Sequence, residues 1–177
     1  MTNNPKSKTT GWHDEIHGVL AQNNVRQVAY VPDSGHARLI NLVCSDRSMR
    51  AIPLTTEEEG VALLAGAWLG GARGVLLMQS SGAGNCINML GMIQECRFPL
   101  LMLVTMRGEW GEFNPWQVPM GQATAAALAS IGVIVQEVNE AARVEGTVAA
   151  AAQLAFNAYR AVAVLIGQRV VGAKEWK

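Results

Sequence analysis

Three consecutive carboxylates, Glu57-Glu58-Glu59, open a small-residue apolar stretch that runs to Leu69, directly after the strand-like run 50–54. One short strand later comes Gln79-Ser80-Ser81-Gly82-Ala83-Gly84-Asn85. A carboxylate at a helix start can do acid–base work on a bound group, and the Gly-Ser segment can turn the chain tightly or admit a ligand to the backbone. Helix capping accounts for part of the acidic run. Thr56 as N-cap and Glu59 at the third helical position make a capping box, and acidic side chains suit the positive end of the helix dipole. That explains Glu59 well and Glu58 adequately, and leaves Glu57 room for a further role. Gly82-Ala83-Gly84 partly matches a nucleotide loop, but the third glycine of a dinucleotide fingerprint would fall at Ile87. No GxxxxGK[ST] motif occurs, and Ser80 and Ser81 lack the G-x-S-x-G frame of a nucleophile elbow.

The other reactive residue types divide into weak and stronger candidates. His13 and His17 lie four apart, as zinc ligands can, but without H-E-x-x-H or further ligands they read as a solvated helix face, and no metal site is expected. Cys44, Cys86 and Cys96 form no CxxC pair and read as small buried hydrophobes. His36 follows Asp33-Ser34 at the carboxyl end of a strand, where either a structural or a ligand-facing role is open. The run 107–117, with Arg107, two tryptophans, a phenylalanine and Gln117, mixes charge with aromatics and suits an interface or a lid over a small anionic substrate.

The elements that must position these residues alternate along the chain. Helical patterns are expected over about 11–22, 36–43, 57–69, 85–95, 121–130 and 141–159. Strands are expected over about 27–31, 51–54, 74–78, 100–105, 133–136 and 161–166. Continuous apolar strands between helices predict an α/β fold: one three-layer domain, a mostly parallel sheet with helices on both faces. Ligands collect outside the carboxyl ends of such strands, which selects the loops 32–36, 55–59, 79–85 and 106–119. Residues 1–10 read as a disordered polar tail and 11–177 as the domain.

Composition excludes several classes of function. Half of the 177 residues are hydrophobic, 16% are charged, and 14 basic against 14 acidic residues give no net charge. No electrostatic footprint for nucleic acid exists, and no apolar run is long enough to span a bilayer. Sparse cysteines and the absence of a leader-like segment point to the cytoplasm. Low charge with high apolar content suits a large protein interface.

Four of these segments, in this order, resemble a known family: Val31-Pro32-Asp33-Ser34, Glu57 through Leu69, Met78 through Asn85, and Arg107-Gly108-Glu109 with Gln117 through Gly121. They are similar to the alpha subunits of sulfopyruvate decarboxylase and to the N-terminal part of phosphonopyruvate decarboxylases, over about residues 11–167. The resemblance implies the pyrimidine-binding domain of thiamine-diphosphate enzymes. It implies that Glu57 hydrogen-bonds the pyrimidine nitrogen and activates the cofactor, with Glu58 and Glu59 as the alternatives should the register differ. It implies that Ser34 faces the substrate, that Pro32, Gln79, Ser81, Gly82, Gly84 and Asn85 line the cofactor, and that His36, Arg107 and Gln117 are candidates near the substrate. The family holds the diphosphate and Mg2+ on a Gly-Asp-Gly segment, which does not occur here. A beta subunit carrying that half is therefore implied, in a hetero-oligomer of at least two alpha and two beta chains sharing thiamine diphosphate. The chain departs from the family at Ser80, Ala83 and Val118. The implied reaction is decarboxylation of 3-sulfopyruvate; 3-phosphonopyruvate or another short anionic 2-oxoacid is the alternative. A non-catalytic module that binds a nucleotide or stabilises a partner is the reading from another class.

Overall fold

The computed structural model describes residues 11–173. The expectation for residues 1–10 lies outside them, as does the last part of the expected domain. Six strands form one sheet: β1 (Val25–Tyr30), β2 (Arg50–Pro53), β3 (Arg73–Gln79), β4 (Leu100–Thr105), β5 (Ile134–Val138) and β6 (Ala161–Ile166). Their order is β2-β1-β3-β4-β6-β5, and every neighbouring pair is parallel. Parallel neighbours require crossovers, which seven helices help to supply: α1 (Trp12–Gln22), α2 (Ala37–Ser45), α3 (Glu57–Leu69), α4 (Ser80–Cys96), α5 (Val118–Ser130), α6 (Val144–Ala158) and the short α7 (Gln168–Val171).

The period of two in the strands divides the core. Val75, Leu77, Leu101, Leu103, Val162 and Val164 face α1, α2 and α6, while Leu76, Met78, Met102, Val104, Ala163 and Leu165 face α3, α4 and α5. β4 and β6 are buried along their whole length, as their continuous apolar runs predict, whereas the edge strands β2 and β5 keep exposed residues. Each of these fully buried leucines stabilises the fold by about 1.5–3 kcal/mol relative to exposure. On the other side of the interface, helices bury the matching stripe: Ile16, Val19 and Leu20 on α1, and Val144, Val148, Ala151, Ala155 and Phe156 on α6. α3 approaches the sheet closely because Gly60 has no Cβ. One built there would stand 2.5 Å from Leu76 Cδ1.

Three expectations are corrected. α4 does not begin near Asn85 after a loop; it starts at Ser80, directly off β3, so the Gly-Ser segment is helical. α5 begins at Val118, three residues early, because Pro119 suits a first helical turn, and a 3-10 turn over Pro115–Gln117 leads into it. The capping box on α3 is not formed as expected: the Thr56 side chain makes no capping bond, and Glu59 Oε2 accepts instead from the Thr55 N–H at 3.0 Å. The α7 turn after β6 carries no sequence signal that announces it.

Candidate functional site

The site is assembled by three adjacent strand ends and two helix starts. β1 lies between β2 and β3, so the chain leaves β1 to one side and returns to its other side, which creates a switch point where ligands bind in such sheets. The exit of β1 carries Asp33 and Ser34, the end of β3 carries Gln79, and the end of β4 carries Thr105.

Glu57, the first residue of α3, is 8% exposed. Asn85 Nδ2 donates to its Oε2 at 2.9 Å. Among the described residues no hydrogen bond reaches Oε1. The glycine expected in a loop has another purpose: a Cβ at Gly82 would overlap the Glu57 carboxyl group, so the side chain of Glu57 occupies the space that any larger residue on α4 would fill. Gly82→Ala is therefore expected to displace the carboxylate, break the Asn85 contact and lower stability by about 1–3 kcal/mol, read as a shift in the urea midpoint. An unchanged midpoint would mean that α3 and α4 can separate freely. Cys86 lies on the same buried face of α4. Burial, and then the nearby carboxylates of Glu57 and Glu58, push its thiol up to about 12, so it is an inert part of the wall. Glu58 Oε2 is buried without a hydrogen-bond partner.

A line of hydrogen bonds crosses the start of α4 to a second carboxylate. Ser81 Oγ donates to Gln79 Oε1 at 3.0 Å, and Gln79 Nε2 donates to Asp33 Oδ1 at 3.1 Å. Asp33 Oδ2 also accepts from Thr105 Oγ1 at 2.6 Å and from the Gly35 N–H at 3.0 Å. A cleft of about 420 Å³ opens beside it, lined by Asp33, Ser34, Thr105, Arg107 and Arg38 among others. Glu57 does not line this cleft.

The remaining candidates are placed as follows. Pro32 and Ser34 are exposed at the β1 exit. Gly84 faces Met120, whose sulfur would be 3.1 Å from a Cβ there. His36 is fully buried; Nε2 donates to the Leu103 carbonyl at 3.0 Å, Nδ1 is buried without a partner, and burial pushes its pKa down to about 4. It is a neutral group under the sheet end and does not line the cleft. Arg107 lines the cleft, but its guanidinium is held by Glu112 through Nε–H and Nη2–H and lies 5.5 Å from the Phe113 ring centre. Gln117 Oε1 is buried without a partner. Both arginines that line the cleft are thus compensated: Arg107 by Glu112, and Arg38 by Asp14 at 2.7 and 2.8 Å.

Glu112 belongs to a network that the sequence does not announce. It accepts from Arg107, from the Gly108 and Asn114 N–H groups, and from Gln168 Nε2. Gln168, on α7 and 1% exposed, takes the N–H groups of Glu109 and Trp110 on its own Oε1. This ties the long loop to the turn after β6. The bond between Asp33 and Thr105 is likewise without a pattern in the sequence. The one sequence signal for Asp33 is a glycine two residues on, since Asp commonly bonds that N–H in an Asx turn.

A carboxylate 8% exposed, fixed through one oxygen with the other free of hydrogen bonds among the described residues, fits the ring nitrogen of an aminopyrimidine when that nitrogen is protonated. The chain also matches known proteins. The family described as "Thiamine pyrophosphate enzyme, N-terminal TPP binding domain" matches residues 13–112. The chain is 34% identical, over 121 residues, to the sulfopyruvate decarboxylase subunit alpha of Methanococcus maripaludis, covering 68% of this chain and 72% of that one. It is 42% identical, over 102 residues, to the phosphonopyruvate decarboxylase of Streptomyces hygroscopicus, covering 56% of this chain but 25% of that longer protein. A 2-oxoglutarate:ferredoxin oxidoreductase from Magnetococcus marinus shares the fold, with a TM-score of 0.75 at 16% identity over 92% of this chain and 29% of that one. Among the described residues, no helix is long and apolar enough to cross a membrane.

Proposed function

The chain belongs to the thiamine pyrophosphate enzymes, as their N-terminal TPP-binding domain, and from that membership we propose that it is the alpha subunit of a 2-oxoacid decarboxylase acting on 3-sulfopyruvate. The observation that carries the catalytic part is the buried Glu57 carboxylate, held by Asn85 across the gap that Gly82 leaves. When bound, thiamine diphosphate supplies the electron sink for loss of CO2. Glu57 would hold the pyrimidine ring nitrogen through the carboxylate oxygen that Asn85 leaves free, and would carry the proton there. Asn85 keeps that carboxylate from rotating, Gln79 and Ser81 present polar edges at the α4 start, and the apolar wall around Cys86 excludes water. Ser34, at the rim of the cleft, faces the 2-oxoacid.

The diphosphate and Mg2+ are assigned to a beta subunit, in keeping with the relative's name as an alpha subunit. The sulfonate substrate is supported by the relative matched over most of its length. The higher identity to the Streptomyces protein supports a second reading, 3-phosphonopyruvate.

The test is CO2 release from each oxoacid by the chain copurified with its beta subunit, with and without thiamine diphosphate and Mg2+. Release from 3-sulfopyruvate that needs both cofactors and both subunits is expected. Faster release from 3-phosphonopyruvate would replace the substrate. Tight Mg2+-dependent binding of the cofactor by this chain alone, in calorimetry, would overturn the divided site. A complex that neither binds cofactor nor releases CO2 would leave a non-catalytic module.

A further inference from the structure

We propose that Thr105 is a positioning residue for the 2-oxoacid end of the site: its hydroxyl, acting through Asp33, fixes both the loop that carries Ser34 and the amide of Gln79. The inference rests on the decarboxylase reading above for its catalytic consequence, and on the geometry alone for its structural one. Thr105 ends β4, between β3 and β6 and buried along its length, so its side chain stands on a rigid platform. It is 1% exposed, yet it borders the cleft. Its Oγ1 donates to Asp33 Oδ2 at 2.6 Å, short as expected of a hydroxyl bound to a carboxylate. Asp33 then reaches back to its own loop at the Gly35 N–H and sideways to Gln79 on β3. One carboxylate therefore joins the ends of three neighbouring strands, β1, β3 and β4, and Thr105 is its anchor on β4.

Packing makes the same contact unforgiving. A Cβ at Gly35 would stand 2.8 Å from both Asp33 Oδ2 and Thr105 Cγ2, so the loop lies directly against the threonine and has no slack. The two features of Thr105 can be separated. Valine keeps the shape and the methyl contact with Gly35 but donates nothing. Serine keeps the donor and loses the methyl. Since hydrogen bonds to charged groups are the strong ones, losing this donor is expected to cost about 10–100-fold in kcat/KM, borne mainly by KM for the oxoacid.

The experiment compares Thr105→Val and Thr105→Ser in the assembled complex. Thr105→Val is expected to lose kcat/KM for the oxoacid by about 10–100-fold, with a smaller loss of thiamine diphosphate affinity and a thermal midpoint only a few degrees lower. Thr105→Ser is expected to stay within about 3-fold of the wild type, and the NMR resonance of the Gly35 amide should move in the valine variant and hold in the serine variant. Serine as damaging as valine would show that packing and not the donor matters, and overturns the proposal; so does valine with normal kinetics. Should the wild-type complex release no CO2, the decarboxylase reading fails, and the Gly35 amide alone decides whether Thr105 sets the loop.

Discussion

Glu57→Gln in the assembled complex is expected to lower the rate of CO2 release by about 10²–10⁴-fold, the range in which a positioned acid–base group contributes. Glutamine has the shape of glutamate, and its amide can still meet Asn85. The fold, the contact with α4 and the assembly with the beta subunit should therefore survive. What is lost is a carboxylate oxygen able to hold and return a proton at a place that is 8% exposed. The measurement is single-turnover release beside gel filtration of the same sample. Turnover within a few-fold of wild type would reduce Glu57 to a residue that starts α3. Glu58→Gln in parallel separates the neighbours, since Glu58 Oε2 is also buried but has no hydrogen-bond partner.

Glu112→Ala should be the most damaging single change to stability. The Arg107–Glu112 pair has side chains 8% and 3% exposed, and removing one partner leaves the other as an uncompensated buried charge, at about 3–5 kcal/mol. Urea unfolding at pH 7 reads this directly; a loss below about 1 kcal/mol would show that water reaches Arg107 in place of Glu112. The pair also gives a pH signature. Arg107, first through its hydrogen bonds, holds the Glu112 carboxyl down at about 2, against an ordinary 4.5. A depressed acid stabilises the fold above its unfolded pKa and stops doing so as pH falls through the folded one. The contribution, on the order of 3 kcal/mol, should be complete above about pH 5 and decline between about 4.5 and 2. Glu112→Gln should flatten that part of the stability curve.

The parts of the fold that were legible were those written locally. β4 and β6 as continuous apolar runs, and α3 from Glu57 to Leu69, stand where their residues predict, because nothing distant competes with their pattern. The site was legible as a set of loops at one end of the sheet. Its wiring was not. Asp33 and Thr105 lie 72 residues apart, and Glu109 and Gln168 lie 59 apart, so no window of sequence holds both members of either pair. Arg107 looked available to a substrate because its partner, five residues on, is one of two glutamates in a loop whose folding back on itself has no periodic signature. The glycines of 79–85 misled for a physical reason: they read as turn residues, whereas Gly82 serves a contact with a residue 25 positions earlier, inside a helix.

That contact binds two positions in the history of the chain as well as in space. The carboxyl group of Glu57 fills the volume a side chain at 82 would need, so position 82 cannot enlarge while the glutamate stays. A lineage that keeps the glutamate inherits the glycine with it. One that abandons the acid is freed to enlarge position 82, and alanine there, costly beside glutamate, becomes tolerable beside a shorter residue. A larger residue at 82 would thus mark a descendant that has given up the acid.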